Sequence, residues 1–191
     1  MRKSISFIGL IIVITITILI VTSISYRNFL NKSLSKEEFD KGAQFSKKGN
    51  YKEALKYFNK AIEIDPDNSR AWGWKGELLY RRENYTEALK CYDKLIEMHP
   101  ENRSCWCKKI EALRSLGRYE EVIECYDKLL EINPKDDSSW FHKGNILYQQ
   151  EKYEEAIKCY DKALETAVDK PFQLRQIYEM EKEHTLKALG K

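Results

Sequence analysis

The residues of this chain best equipped for chemistry are five cysteines, three histidines and pairs of adjacent glutamates, and their spacing decides what they can do. Cys91, Cys125 and Cys159 recur at intervals of 34 residues. In stacked helices about 8–10 Å apart, such thiols are too distant for a disulfide or a shared zinc ion. Cys105 and Cys107 are two residues apart on an expected helix and so point to different faces. An odd count leaves at least one thiol without a partner in the chain, and small buried or half-buried thiols are expected. His99, His142 and His184 are scattered, with no zinc-protease helix motif, phosphate-cradling glycine loop or nucleophile elbow near them. Glu120-Glu121 and Glu154-Glu155 fall at expected helix starts, where carboxylates complement the dipole. Nothing converges as a catalytic site must, so the expectation is no enzyme, metal, cofactor or small-molecule substrate.

Charge narrows the partners. The net charge is +3, but residues 1–34 hold Arg2, Lys3, Arg27 and Lys32 and no acid. Removing those four leaves 29 basic residues against 30 acidic ones from Ser35 onward. A nucleic-acid interface needs a concentrated cationic footprint, and the body of the chain has no such excess.

The elements that must position these residues come from the same interval of 34. Tyr51, Tyr85, Tyr119 and Tyr153 keep it, as do Ala54, Ala88, Val122 and Ala156, and Phe58, Tyr92, Tyr126 and Tyr160. Pro66, Pro100 and Pro134 close three units, and Trp72, Trp106 and Trp140 open three. Trp72, Gly76 and Leu79 form one helical stripe, and Ala88, Tyr92 and Leu95 form a second. The small Gly76 and Ala88 let the two helices approach closely. Glu83-Asn84 and Gly49-Asn50 supply turns, and Pro100 stops the second helix. Each unit is a helix–turn–helix hairpin.

Trp72-x-x-Lys75-Gly76-x-x-Leu79 followed by Ala88-x-x-x-Tyr92 and Pro100 resembles the tetratricopeptide repeat, as does Trp140-x-x-Lys143-Gly144-x-x-Leu147 with Ala156-x-x-x-Tyr160. The resemblance implies an all-α, right-handed superhelical solenoid of four hairpins, at residues 35–68, 69–102, 103–136 and 137–170. Residues 171–191 are expected to form a capping helix. Lys41, Lys75, Lys109 and Lys143 stand where the family prefers Leu; their stems can lie along the seam while the ammonium reaches water, a cationic ladder being the alternative. Ile110 replaces the small Gly of the third unit and is expected to splay that hairpin. Ser35 and Glu38 fit a capping box at the start of the first helix.

Ahead of the repeats, residues 4–26 contain no charge and are rich in Ile, Val, Leu and Thr. As a helix this stretch is about 35 Å long, enough for a hydrocarbon core near 30 Å. The expectation is a short tail at 1–3, a transmembrane helix at 4–26 and a linker at 27–34. The alternative is a cleaved secretory signal in a secreted or periplasmic protein. The apolar stretch of a signal is usually about 7–15 residues, and Ser23 and Ser25 make a poor cleavage site. Arg2 and Lys3 at one end, against Arg27, Lys32 and Lys36 at the other, favour neither orientation.

The resemblance also implies a binding face, a concave groove lined by the first helix of each hairpin and holding an extended peptide or a partner helix. Mapped here, it includes Lys36, Phe39, Asp40 and Lys47 from the first unit, and Arg70, Trp74, Glu77, Tyr80 and Arg81 from the second. Lys108, Glu111 and Arg114 come from the third, and Phe141, His142, Asn145 and Tyr148 from the fourth. Aromatics and arginine carry much interface energy, so a partner with acidic and apolar character is expected. The family's two-lysine, two-asparagine, one-arginine clamp for chaperone C-termini is not matched, since Phe39, Ala43, Trp74, Ser104 and Lys108 stand at its positions. The expected function is a non-catalytic, membrane-anchored scaffold for another protein.

Overall fold

The computed structural model describes residues 7–190, and among these every regular element is a helix, nine in all. They are α1 (Phe7–Lys47), α2 (Tyr51–Ile64), α3 (Ser69–Arg81), α4 (Tyr85–Met98), α5 (Arg103–Ser115), α6 (Tyr119–Ile132), α7 (Asp137–Gln149), α8 (Tyr153–Thr166) and α9 (Phe172–Ala188). The expected tail at Arg2 and Lys3, the first residues of the expected span and the last residue of the cap lie outside the described residues. The chain forms two compact units, Met1–Leu78 and Leu79–Lys191.

The turns inside the hairpins share one chemistry. Gly49, Glu83, Gly117 and Glu151, each 34 apart, adopt φ of 75°, 61°, 70° and 60°. The amide after each donates to a carbonyl five residues back, as Asn50 does to Phe45 (2.9 Å) and Lys152 to Leu147 (2.9 Å). These are Schellman closures, which satisfy carbonyls that the helix end would orphan. Asn50 and Asn84 then accept the amides of Glu53 and Glu87, starting the next helix. Between hairpins, the indole Nε1 of Trp72, Trp106 and Trp140 donates to the carbonyl of Pro66, Pro100 and Pro134 at 2.8, 2.8 and 3.0 Å. The Trp and Pro columns therefore work as a pair, each tryptophan fastening the loop that delivers it.

In the first unit, Phe39, Ala54, Phe58, Ala61, Ala71 and Leu78 form the core. Gly42 permits it: a Cβ there would lie 2.7 Å from the Phe58 ring. The first helix differs from expectation. Residues 27–34 are helical, and α1 runs unbroken for 41 residues from the apolar segment into the hairpin. Ser35 and Glu38 cap nothing. The buried Ser35 hydroxyl donates to the Ala61 carbonyl (2.7 Å) and accepts from Asn68 Nδ2 (2.8 Å), tying α1 to the end of α2 and the loop after it. Arg27 and Lys32 end the apolar run without ending the helix, since both are good helix formers. The N-terminal part of α1 is long and apolar enough to cross a membrane, and the rest of the chain covers none of it.

In the second unit the main contacts run between consecutive helices from α4 to α9. α5 and α6 share a smaller contact than α7 and α8, in keeping with the buried Ile110 at the crossing where Gly144 admits Tyr160 in the next repeat. Two members of the lysine column form ion pairs between helices, while Lys75 lies 5.3 Å from the Trp72 ring centroid. Lys109 reaches Asp93 (2.7 Å), Lys143 reaches Asp127 (2.5 Å), and in the cap Lys182 reaches Asp161 (2.6 Å). Each of these three charges bridges to the preceding helix. Lys41, with no earlier hairpin, pairs with Glu37 and Glu38 on its own helix.

Candidate functional site

Burial sorts the expected groove residues. On α1 and α3, Phe39 is only 2% exposed, packed between Phe58 (ring centroids 5.6 Å) and the edge of Trp74 (6.3 Å). It belongs to the core and not to a binding face, because the close approach of α2 at Gly42 encloses it. Above it the Arg70 guanidinium sits 4.3 Å from the ring centroid, and Trp74 remains 40% exposed. Arg70 and Trp74 thus form a cation and an aromatic surface held rigid by a buried ring, the kind of anchor on which interface energy concentrates. Lys36, Asp40, Lys47 and Arg81 are exposed and Glu77 is half-buried.

In the second unit, Tyr80, Glu111, Arg114, Ser115, Tyr119 and Gln149 line an open cavity of about 380 Å³. The hydroxyls of Tyr80 and Ser115 lie 3.4 Å apart, and Ser115 donates to the Glu111 carbonyl at 3.0 Å, which fixes the lip. The Tyr80 ring packs edge-on against Tyr85 (5.3 Å). Three expected residues therefore meet at one opening. Ser115, Tyr119 and Gln149 were not anticipated; Tyr119 is in a column that reads as hairpin packing, and Ser115 and Gln149 are helix-end residues without a distinctive spacing.

Arg114 also sets the electrostatics nearby. Burial pushes the Tyr126 hydroxyl up to about 12, with Arg114 pulling the other way. Burial, then Arg114 and Arg103, hold His142 below the usual histidine range. His142 packs over Tyr126 (6.2 Å) and against Phe141 (5.5 Å), and at neutral pH it adds an aromatic surface and no charge. Lys108 is half-buried on the same helix as Arg114.

The remaining residues of the fourth repeat are engaged inside the protein. Phe141 stacks on Tyr178 of α9 (4.5 Å) and packs at a tilt against Tyr160 (5.8 Å). Asn145 Oδ1 accepts from Tyr160 Oη at 2.8 Å. Tyr148 packs on Tyr153 (5.5 Å) and on His184 of the cap (5.3 Å). The cap, pinned by Tyr178 to Asp137 and by Lys182 to Asp161, takes the place expected for a partner at Phe141 and Tyr148.

No group of three or more His, Cys, Asp or Glu side chains able to hold a metal occurs among the described residues. Burial pushes the Cys125 and Cys159 thiols to about 11, so both are protonated and unreactive near neutral pH.

Two family models match the chain. One, described as tetratricopeptide repeat, matches residues 39–103, and the other, described as anaphase-promoting complex, cyclosome, subunit 3, matches residues 82–163. A stretch of 41 residues is 39% identical to stress-induced-phosphoprotein 1 of Caenorhabditis elegans, covering 22% of this chain and 13% of that protein. The chain thus matches about one eighth of the length of that relative. Among solved structures, a tetratricopeptide repeat protein from Parabacteroides merdae superposes with a TM-score of 0.67 at 22% identity, over 81% of this chain and 60% of the other. MamA from Desulfovibrio magneticus superposes with a TM-score of 0.58 at 15% identity, over 82% and 91%. At these identities the likeness establishes the fold, an all-helical repeat solenoid.

Proposed function

We propose that this chain is a tetratricopeptide-repeat protein acting as a non-catalytic, membrane-anchored scaffold whose repeats bind another protein through an extended peptide or a helix. One observation carries the binding role. Arg114 stands at a cavity of about 380 Å³ beside two tyrosines, with no carboxylate within ion-pairing distance among the described residues, whereas Lys109, Lys143 and Lys182 are each paired. Arg70 over Phe39, with the half-open Trp74, is a second point of the same character in the other unit. Both suit a partner that brings carboxylates flanked by apolar side chains.

Anchoring is supported by α1. Thr15, Thr17, Thr22 and Ser23 each donate their hydroxyl to the carbonyl three residues back, at 2.8–3.0 Å, so these polar groups are satisfied within the helix. That is the condition a lipid environment imposes.

Crosslinking the full chain in its native membranes, followed by mass spectrometry, tests the reading. A partner captured by the wild type and lost from both Arg114→Ala and Trp74→Ala, with helical content unchanged, is expected. Retention of every partner by both variants would refute the assignment of these surfaces, and an intact mass lacking the apolar segment would refute the anchor.

A further inference from the structure

Between the apolar segment and the first core residue, α1 carries a short stretch with a composition found nowhere else in the chain. Tyr26 and Phe29 are 65% and 69% exposed, Leu30 and Leu34 are exposed as well, and Arg27, Lys32 and Lys36 make no ion pair among the described residues. Many cations of the repeats are neutralised locally, among them Lys41 by Glu37 and Glu38, Lys109 by Asp93 and Lys143 by Asp127. The first acid of the sequence is Glu37, and it lies 2.9 Å from Lys41. Three cations and four exposed apolar side chains thus share about three helical turns with no partner among the described residues.

The unbroken helix places this collar. At about 1.5 Å per residue, Arg27, Lys32 and Lys36 sit roughly 1.5, 9 and 15 Å beyond Tyr26 along the axis. The headgroup layer of one leaflet is about 5–8 Å deep, and Cα–Cβ bonds tilt toward the helix N-terminus, here back toward the bilayer. Extended Lys32 and Lys36 side chains therefore reach the phosphate level, while Tyr26 and Phe29 occupy the depth that aromatic side chains favour. We propose that residues 26–36 are a lipid-binding collar that selects anionic phospholipid headgroups in the leaflet from which α1 emerges toward the repeats. Because Ser35 is already fastened to Ala61 and Asn68, headgroups held at Lys32 and Lys36 also fix the height of the first hairpin above the membrane. The proposal rests on the anchoring reading above.

The test uses the full-length protein reconstituted into equimolar phosphatidylcholine and phosphatidylglycerol vesicles, extracted in mild detergent, with bound lipid identified by native mass spectrometry. Each juxtamembrane cation contributes about 1 kcal/mol, a factor of about five, so phosphatidylglycerol should be retained over phosphatidylcholine by roughly fivefold or more. Arg27→Gln/Lys32→Gln/Lys36→Gln should retain the two lipids alike. Lys90→Gln/Lys128→Gln/Lys162→Gln, which removes three lysines paired on the repeats, should keep the preference. Excess inorganic phosphate should leave the ratio unchanged; abolition by phosphate would identify a free-anion site and overturn the proposal. Equal retention by the wild type, or a preference surviving in the collar variant, would also overturn it. If alkaline carbonate releases the wild type from the vesicles, anchor and collar fall together. If the protein stays integral without a lipid preference, the collar alone falls.

Discussion

Tyr178 donates a 2.8 Å hydrogen bond from its Oη to Oδ2 of Asp137, and both side chains are buried. Asp137 opens α7 and Tyr178 lies in the middle of α9, so one bond fastens the cap to the repeat it covers. Lys170 stands 3.4 Å from the other carboxylate oxygen, and the Phe141 ring stacks on Tyr178. Tyr178→Phe keeps the ring and leaves a buried carboxylate short of a donor, which should cost about 1–3 kcal/mol. Tyr178→Ala also opens a cavity above Phe141, and its expected cost is about 3–5 kcal/mol. Urea unfolding measures both. Asp137→Asn combined with Tyr178→Phe should cost less than the sum of the single changes, since the two act on one bond.

The crossing of α7 and α8 depends on an absent atom. A Cβ on Gly144 would lie 2.7 Å from the Tyr160 ring, and that ring is fully buried. Gly144→Ala should therefore destabilise by about 1–3 kcal/mol through overpacking, despite alanine's better helix propensity. Tyr160→Leu in the same chain should recover part of the loss. Lys143→Met, one residue earlier, breaks the pair with Asp127, whose side chain is 47% exposed, and should cost no more than about 1 kcal/mol. A thermal scan in which the lysine change outweighed the glycine change would contradict this account.

How much of this was legible in the sequence depends on whether a feature repeats. The 34-residue columns marked the hairpins, their turns and the Gly144 crossing, because a repeated column imposes similar packing from copy to copy. They also held information a helical wheel cannot show. Trp106 reads as an apolar stripe residue, yet its indole also ties down the Pro100 carbonyl. Lys143 invites an account of its own stem, and its partner Asp127 lies 16 residues earlier on another helix. The unrepeated parts were less readable. Arg27 and Lys32 look like a linker after an apolar run, and Ser35 with Glu38 has capping-box spacing, but the helix continues because Ser35 has a tertiary partner. Phe39 and Phe141 map to an open face by resemblance. One is enclosed by Phe58 and the other by Tyr178, which depends on neighbours that local periodicity does not specify.

Two of the four hairpin turns carry backbone strain that glycine avoids in the other two. Glu83 and Glu151 hold φ of 61° and 60° at the position where Gly49 and Gly117 stand. A side chain in this left-handed region costs about 1–2 kcal/mol. Glu83→Gly and Glu151→Gly should each stabilise by about 0.5–1 kcal/mol, part of the relief being offset by the greater freedom of glycine when unfolded. The two sites are separate turns, so their effects should add in the denaturation midpoint. Glu83→Ala, which keeps a Cβ, should bring no such gain.

High pH should unfold this protein through its buried hydroxyls and thiols. Burial raises Tyr126 to about 12 and lifts Tyr160 and Tyr178 further, Tyr178 also because it donates to Asp137. Cys125 and Cys159 are raised to about 11 by burial. Each group is neutral when protonated and has a higher pKa folded than unfolded, so its full contribution is present at low pH and is lost as pH rises. The decline should begin above about pH 8.5 for the thiols and above about pH 10 for the tyrosines. Each group then removes about 1.4 kcal/mol per pH unit until it ionises in the folded state. With three tyrosines and two thiols acting together, a typical stability of about 5–15 kcal/mol would be consumed within about two units above pH 10. Cys125→Ala/Cys159→Ala should remove the earlier part of the decline and leave the tyrosine part. The decisive observation is timing: tyrosinate absorbance from these buried rings should appear together with loss of helical circular dichroism. If it rose while the helices were intact, the rings would be open to hydroxide and burial could not be the cause of the shift.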